Sequence, residues 1–183
     1  MPISKAKSLL VIGLVSSISI GVLAKDLPSE YVDKEGNITL PIDFRTSTIH
    51  LGSWFVPTGD ASGFHGVYTN QGTIEHYRKY GKFPDGAVII KELRASNSED
   101  YTTGKNVSHE TGNLKQWFVM VKDSKKHFSN NPVWGDGWGW ALFKPDNPTK
   151  NVATDYKVDC LGCHIPAKDK DWIYTEGYPV FQK

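Results

Sequence analysis

The chain has only two cysteines among its 183 residues, which limits the sites it can build. A four-cysteine zinc site is impossible within one copy. The chain also lacks an excess of either charge, since its formal net charge is +1 and its lysines are scattered. Nothing in the sequence therefore predicts a nucleic-acid or polyanion partner. After residue 24, no apolar run approaches the roughly 20 residues of a membrane span. There is no internal repeat and no low-complexity linker.

The N-terminus carries the pattern of an export signal. Two lysines precede an apolar run at residues 9–20, and small residues at 22–24 suit a cut after Ala24. We predict a signal peptide over 1–24 and one mature domain over 25–183, which is periplasmic and free of the membrane after cleavage. A retained membrane anchor is the alternative, and the shortness of the apolar run disfavours it.

The most informative motif lies near the end of the chain and reads Cys160-Leu161-Gly162-Cys163-His164. Two thiols separated by two residues on a helical turn can reach the two vinyl groups along one porphyrin edge, and the next histidine can ligate the iron. We predict one haem c, bound through thioethers from Cys160 and Cys163, with His164 as the metal ligand. A thiol redox pair, a zinc half-site and chance are the alternatives, and a redox pair does not need the histidine. No thiol is then left for a disulfide.

Apolar alternation predicts a domain made mostly of sheet. Four segments are candidate strands. Segment 49–56 alternates apolar with small or polar residues, 87–93 and 114–122 are rich in valine, isoleucine and aromatic residues, and 138–143 follows a turn at Gly135-Asp136-Gly137. A helix is predicted over 71–80, ending at Gly81, and a second short helix carries the haem cysteines. The polar segment 26–41 is predicted to be a peripheral arm. This order predicts a sheet-rich α+β fold, with an antiparallel β-sheet, a few helices and a C-terminal haem-attachment turn.

The second axial position of the iron has no evident ligand. No methionine follows His164, and Met120 lies in a candidate strand, where core packing is its usual role. The position is therefore open or filled by a histidine, and His50 and His65 are best placed near the strands. A histidine there would make the protein an electron carrier.

Several segments resemble the cytochrome P-460 family and its relatives, the cytochromes c′-beta. Besides the late haem motif, they are Asp43-Phe44-Arg45-Thr46-Ser47, His50-Leu51-Gly52-Ser53-Trp54, Gly81-Lys82-Phe83-Pro84-Asp85-Gly86, Lys91-Glu92, Asp155-Tyr156 and Gly177-Tyr178-Pro179-Val180. The resemblance implies a sheet-rich homodimer. It also implies one of two activities: oxidation of hydroxylamine and nitric oxide, or binding of nitric oxide and related gases at a five-coordinate haem.

Lys91 separates these two activities. In the enzymes of this family a lysine amine is bonded to a meso carbon of the porphyrin, and the c′-beta relatives lack this bond, so the resemblance makes Lys91 the candidate catalytic residue. By strand alternation Lys91 shares a face with Ala87, Ile89 and Leu93. A lysine on an apolar face is unusual unless its amine reaches water, a partner or a bond. A snorkelling side chain or an ion pair is the alternative.

Phe55 and Phe83 are candidate cofactor-contacting residues, because aromatic rings over an open iron face exclude large ligands and admit small gases. Ordinary core packing is the other interpretation of each. Three functions stay open at this point: a periplasmic oxidoreductase that passes electrons to another cytochrome, a gas-binding protein without turnover, and a bis-histidine electron carrier.

Overall fold

The structure, a computed structural model, describes residues 27–182, and the predicted signal peptide lies outside them. These residues build a six-stranded sheet with the order β1-β2-β3-β4-β6-β5, and every neighbouring pair is antiparallel. The strands are β1 (Ile49–Val56), β2 (Gly63–Thr69), β3 (Val88–Tyr101), β4 (Gly104–Lys122), β5 (Trp134–Gly135) and β6 (Trp138–Phe143). The predicted sheet-rich α+β class is confirmed.

The helices are short, and most follow the sheet in the chain. They are α1 (Phe44–Ser47), α2 (Gln71–Tyr80), α3 (Tyr156–Asp159) and α4 (Leu161–His164), followed by 3₁₀ turns at Ile165–Lys170, Thr175–Gly177 and Pro179–Phe181. The bounds of α2 are those predicted. The side chain of Asn70 accepts a hydrogen bond from the Thr73 amide at 2.8 Å, and Gly81 ends the helix with φ 69°. Within residues 27–182, no helix is long and apolar enough to cross a membrane.

Two predicted strands, β1 and β6, have the predicted bounds, while β3 and β4 extend further into a long hairpin and β2 was not predicted. Two glycines weaken the strand signal of β2. Gly63 is required by packing, since its φ is 124° and an added Cβ would lie 2.0 Å from the carbonyl oxygen of Arg94 on β3. Gly63 therefore weakens the strand signal in the sequence and at the same time allows β2 to pair with β3.

Alternate residues of β3 face two separate cores. Val88 and Ile90 belong to a cluster that includes the N-terminal segment. Ile89 belongs to a second cluster, which includes Met120 and C-terminal residues such as Tyr156. A period of two along one central strand thus divides the domain into two layers, one on each side of the sheet.

The N-terminal segment is part of the first core, so the prediction of a peripheral arm was wrong for residues 27–41. Val32 and Ile38 are each only 3% exposed and form a small antiparallel bridge. The carbonyl oxygen of Gly36 accepts a hydrogen bond from the Trp134 indole at 2.8 Å. A few apolar side chains in a polar segment are enough to fix it against the sheet.

Candidate haem site

The cysteine motif lies on two short helical turns that local hydrogen bonds fix in place. The Asp159 carboxylate accepts hydrogen bonds from the backbone amides of Thr154 (2.7 Å) and Asp155 (3.1 Å), which closes the turn before the motif. The amide of Cys163 donates to the carbonyl oxygen of Cys160 at 3.3 Å. The two cysteines therefore lie one turn apart, the separation that the motif predicts.

Tyr156 attaches this segment to β6. Its ring stacks on Trp140 with centroids 5.9 Å apart and planes at 16°, and its hydroxyl donates to Asp136 at 3.1 Å. Gly135 makes the contact possible, because an added Cβ would lie 2.3 Å from the Tyr156 ring. The packing places the motif over the sheet face that carries Trp140.

His164 is held in the form that binds a metal. Its Nδ1 lies 2.7 Å from the carbonyl oxygen of Trp172. Because a carbonyl only accepts, Nδ1 carries the proton and Nε2 keeps its lone pair for a ligand. Burial lowers the pKa of His164 to about 4, although the Trp172 carbonyl opposes the shift. The imidazole is therefore neutral at physiological pH.

One cavity of about 910 Å³ brings together four of the predicted site residues: Lys91, Cys160, Cys163 and His164. Its other walls are largely apolar, with aliphatic, methionine and aromatic side chains: Ile89, Leu93, Phe118, Met120, Trp140 and Leu142. A large apolar cavity with few polar groups is typical of a cofactor site. Two thiols one turn apart, a neutral imidazole and apolar walls are what a haem c requires, so these residues fit that group.

Lys91 lies at the centre of the sheet. In the cross-strand register it pairs with Val67 on β2 and Phe118 on β4. Its Nζ lies 4.1 Å from the centroid of the Phe118 ring. Burial lowers the pKa of the Lys91 amine, and the thiols of Cys163 and Cys160 oppose this shift.

An ion pair does not explain the position of Lys91. Within residues 27–182, no carboxylate oxygen lies within 4.0 Å of its amine. Glu92, the next residue, alternates to the opposite face and is 3% exposed. There its carboxylate accepts hydrogen bonds from Arg45, Arg94 (3.1 Å) and Tyr68 (2.9 Å). This network occupies the side of the sheet away from the cavity.

The structure does not bring Phe55 and Phe83 to the cavity. Phe55 is 42% exposed and packs on Phe64, because strand alternation turns it away from its neighbours Trp54 and Val56, which do line the cavity. Phe83 is 4% exposed within the second core, beside Trp138.

Other aromatic residues line the cavity, and sequence analysis missed them: Trp54, Phe118, Trp140, Tyr174 and Tyr178. Alternation with Met120 was a signal that could have identified Phe118, because residues two apart on β4 share a face. No comparable signal exists for the two tyrosines, which follow the motif in irregular chain.

The two candidate histidines differ in position. His50 is exposed, lies outside the cavity lining and shares a hydrogen bond with Ser53 at 3.0 Å. His65 lines the cavity, and its Nε2 lies 2.7 Å from the carbonyl oxygen of Ala61, so this nitrogen is a donor already in use. Burial lowers the pKa of His65 despite that hydrogen bond, and Lys91 adds to the lowering.

Residues 41–175, most of the chain, match the family model for cytochrome P460. The chain belongs to the cytochrome P460 family, and it is a haem cytochrome related to hydroxylamine-oxidising enzymes. The comparison with curated proteins gives no match. The family and the cavity chemistry thus agree on the cofactor.

Proposed function

We propose that the protein is a periplasmic mono-haem c-type cytochrome that oxidises hydroxylamine or nitric oxide and passes the electrons to another cytochrome. One observation carries the proposal: the Lys91 amine lines the same cavity as Cys160, Cys163 and His164. According to the family resemblance, a lysine bonded to the porphyrin distinguishes the enzymes from the gas-binding relatives. The proposal of export rests on the signal pattern in residues 1–24. The proposal of a homodimer rests on the family resemblance.

The residues of the motif divide the work of holding the cofactor. Cys160 and Cys163 would each form a thioether, and Nε2 of His164 would ligate the iron. When bound, the haem supplies a redox-active iron that accepts a small nitrogen ligand. The carbonyl of Trp172 keeps the imidazole in one tautomer and one orientation, which sets how strongly it donates to the metal.

Burial prepares Lys91 to act as a nucleophile. A lowered pKa increases the fraction of neutral amine, which is the reactive form. Lys91 would hold the porphyrin through this nitrogen. The bond would replace one hydrogen on the nitrogen and one on the meso carbon, so its formation would need a two-electron oxidant such as a peroxide.

In this proposal His164 is the one residue among 27–182 that would hold the iron. His65 is the histidine that lines the cavity besides His164, and its Nε2 is used by Ala61. Met120 is 6% exposed and packed in the second core, which supports a role in packing. A haem iron held by His164 alone would be able to bind hydroxylamine or nitric oxide, whereas an iron held by two histidines would not.

A second candidate function is binding of nitric oxide without turnover. The contact of 4.1 Å between the Lys91 amine and the Phe118 ring favours it, because an aromatic face holds an unlinked, protonated amine by a cation–π interaction. In that case Lys91 is a buried cation and the haem has only two covalent attachments.

Mass spectrometry of the mature protein distinguishes these functions. We expect the haem peptide that contains Cys160 and Cys163 to be joined to a peptide that contains Lys91, and the ferrous protein to show the red-shifted absorption of the family. The variant Lys91→Ala should show an ordinary c-type spectrum, bind nitric oxide and lose hydroxylamine oxidation. Lys105→Ala, an exposed lysine in the hairpin, is the matched control and should behave as wild type.

An unlinked Lys91 peptide together with absent turnover in wild type contradicts the enzyme and favours gas binding. Periplasmic fractionation and a measured dimer mass test the location and the assembly separately.

A further inference from the structure

The cavity has a second group of cations away from the cysteine motif. Besides Lys91, it is lined by Lys115 and Lys144. In the part of the chain that the structure describes, neither has a carboxylate oxygen within 4.0 Å. Partly buried ammonium groups on an apolar wall are costly without a counter-charge, so the cavity suits a ligand that brings negative charge.

Lys115 reaches the cavity through an irregularity in β4. Leu93 of β3 pairs with Gln116, and the next residue Arg94 pairs with Leu114, so Lys115 is the extra residue of a β-bulge. Its ammonium group donates to the carbonyl oxygens of Asp60 (3.0 Å) and Ser62 (2.9 Å) in the β1–β2 loop. An ammonium has three donors, so one is left.

Lys144 stands beside this bulge, just after the end of β6. Trp117 pairs with Phe143, which places Lys144 next to Gln116 across the two strands, and the Lys144 ammonium donates to the side-chain oxygen of Gln116. Two of its donors are left. Lys144 lies four residues beyond Trp140, about 14 Å along the strand, and Trp140 packs on His164.

The acidic residues of the cavity lining do not neutralise these lysines. The carboxylate of Asp159 is engaged by the amides of Thr154 and Asp155. Asp60 is exposed, and it meets Lys115 through its backbone carbonyl. Lys115 and Lys144 therefore have spare hydrogen-bond donors at the cavity and no carboxylate of the cavity lining to neutralise them.

We infer that Lys115 and Lys144 bind the two propionate carboxylates of the haem, and that Lys115 at the same time fixes the β1–β2 loop at the cavity rim. The inference rests on the proposed haem attachment and is independent of the Lys91 bond and of turnover. Lysine to carboxylate pairs are charge-assisted and strong when partly buried. A free anion from solution is the other source of such a counter-charge.

The variants Lys115→Gln and Lys144→Gln test the assignment in the haem-loaded protein, with Lys105→Gln as the matched change of charge at an exposed site. Glutamine keeps a donor for the neighbouring carbonyls, and Lys144→Arg restores the charge. We expect each glutamine variant to lower the haem reduction potential, because a nearby cation favours the added electron. The propionate bending bands in the resonance Raman spectrum should shift as well. Lys144→Arg should return both readouts towards wild type.

Glutamine variants that change the potential no more than Lys105→Gln does, with unmoved propionate bands, overturn the inference. A wild-type potential that follows chloride concentration at fixed ionic strength, with this dependence lost in the variants and the bands unmoved, overturns it in favour of a free anion. Absence of covalently bound haem on a denaturing gel overturns this inference and the proposed function together. Attached haem without hydroxylamine oxidation contradicts the proposed enzyme alone.

Discussion

The Nδ1 of His164 lies 2.7 Å from the carbonyl oxygen of Trp172, the residue that follows Asp171. The Asp171 carboxylate accepts hydrogen bonds from Lys122 (2.6 Å) and from the Trp138 indole (3.2 Å). Asp171 and Trp172 both have left-handed backbone, with φ of 56° and 67°, which is uncommon for residues other than glycine. Contacts of the Asp171 side chain thus hold a strained turn whose carbonyl orients the predicted iron ligand.

We expect Asp171→Ala to lower the free energy of unfolding by about 2 kcal/mol, because it leaves Lys122, which is 8% exposed, without its counter-ion. The loss is at the low end for a buried pair, since the Asp171 side chain is 29% exposed. The iron–histidine stretching band should also weaken or shift. Asp171→Asn tolerates the left-handed conformation and should lose less stability.

Denaturation in urea and resonance Raman spectra of the ferrous protein provide the measurements. Asp169→Ala, an exposed neighbour, is the control. Equal stability and an unchanged band in Asp171→Ala would show that the turn holds without the ion pair.

The elements whose bounds could be predicted from the sequence are those that local residues determine. The alternation of β1, the turn that precedes β6 and the glycine that ends α2 are each local in sequence, so the bounds of these elements follow from the residues. β2 could not be predicted, because Gly63 is present for a contact with Arg94, which is distant in sequence. The outer half of the β3–β4 hairpin is polar and exposed, so no apolar period marks it.

The candidate site divides in the same way. Alternation within one strand predicts that Lys91 shares a face with Ile89 and Leu93, and all three line the cavity. The position of Lys115 could not be predicted from the sequence, because a bulge interrupts the alternation of β4. The bulge brings Lys115 to the cavity together with its neighbour Gln116. Trp54 and Phe55 are adjacent aromatic residues on opposite faces of β1, and the sequence of this strand does not mark which face meets the cavity.

The buried carboxylate of Glu92 makes the stability of the fold depend on pH. Burial alone would raise the pKa of this carboxyl, but hydrogen bonds from Arg45 and Tyr68 and the charges of Arg45 and Arg94 outweigh burial and lower it. A lowered folded pKa means that the stabilisation is complete above about 4.5, the ordinary value, and is lost as pH falls through the folded pKa.

We expect Glu92→Gln to lower the free energy of unfolding by about 2 kcal/mol at pH 7, the scale of hydrogen bonds to a charged group. The difference from wild type should shrink as the pH falls below 4.5. Denaturant unfolding between pH 7 and 3 measures it, with exposed Glu30→Gln as the control. A difference that stays constant with pH would mean that the charge of Glu92 contributes little.

His65 should not ligate the iron. Its Nε2 donates to the carbonyl of Ala61 at 2.7 Å, so ligation through Nε2 would break a buried hydrogen bond, and Nδ1 is the nitrogen that keeps a lone pair. We expect the resting ferric protein to be high-spin, and His65→Ala to remain high-spin, with electron paramagnetic resonance as the measurement. His50→Ala serves as the control at an exposed histidine. A low-spin wild type that becomes high-spin in His65→Ala would identify a bis-histidine electron carrier.

Attachment of the cofactor should decide whether the chain folds. Ile89, Met120 and the C-terminal residue Ile173 belong to the second core and also line the cavity of about 910 Å³, so without its ligand this core loses an apolar contact surface. A ligand present at about 1,000 times its Kd stabilises a fold by ~4 kcal/mol, a large share of the ~5–15 kcal/mol that holds a typical domain together. We expect Cys160→Ala with Cys163→Ala to give little folded protein, measured by soluble yield and thermal melting. Cys163→Ala alone keeps one attachment point and should give an intermediate yield. Recovery of the double variant at wild-type yield, as a haem-free protein with a cooperative melting transition, would show that the sheet and the N-terminal core suffice for folding.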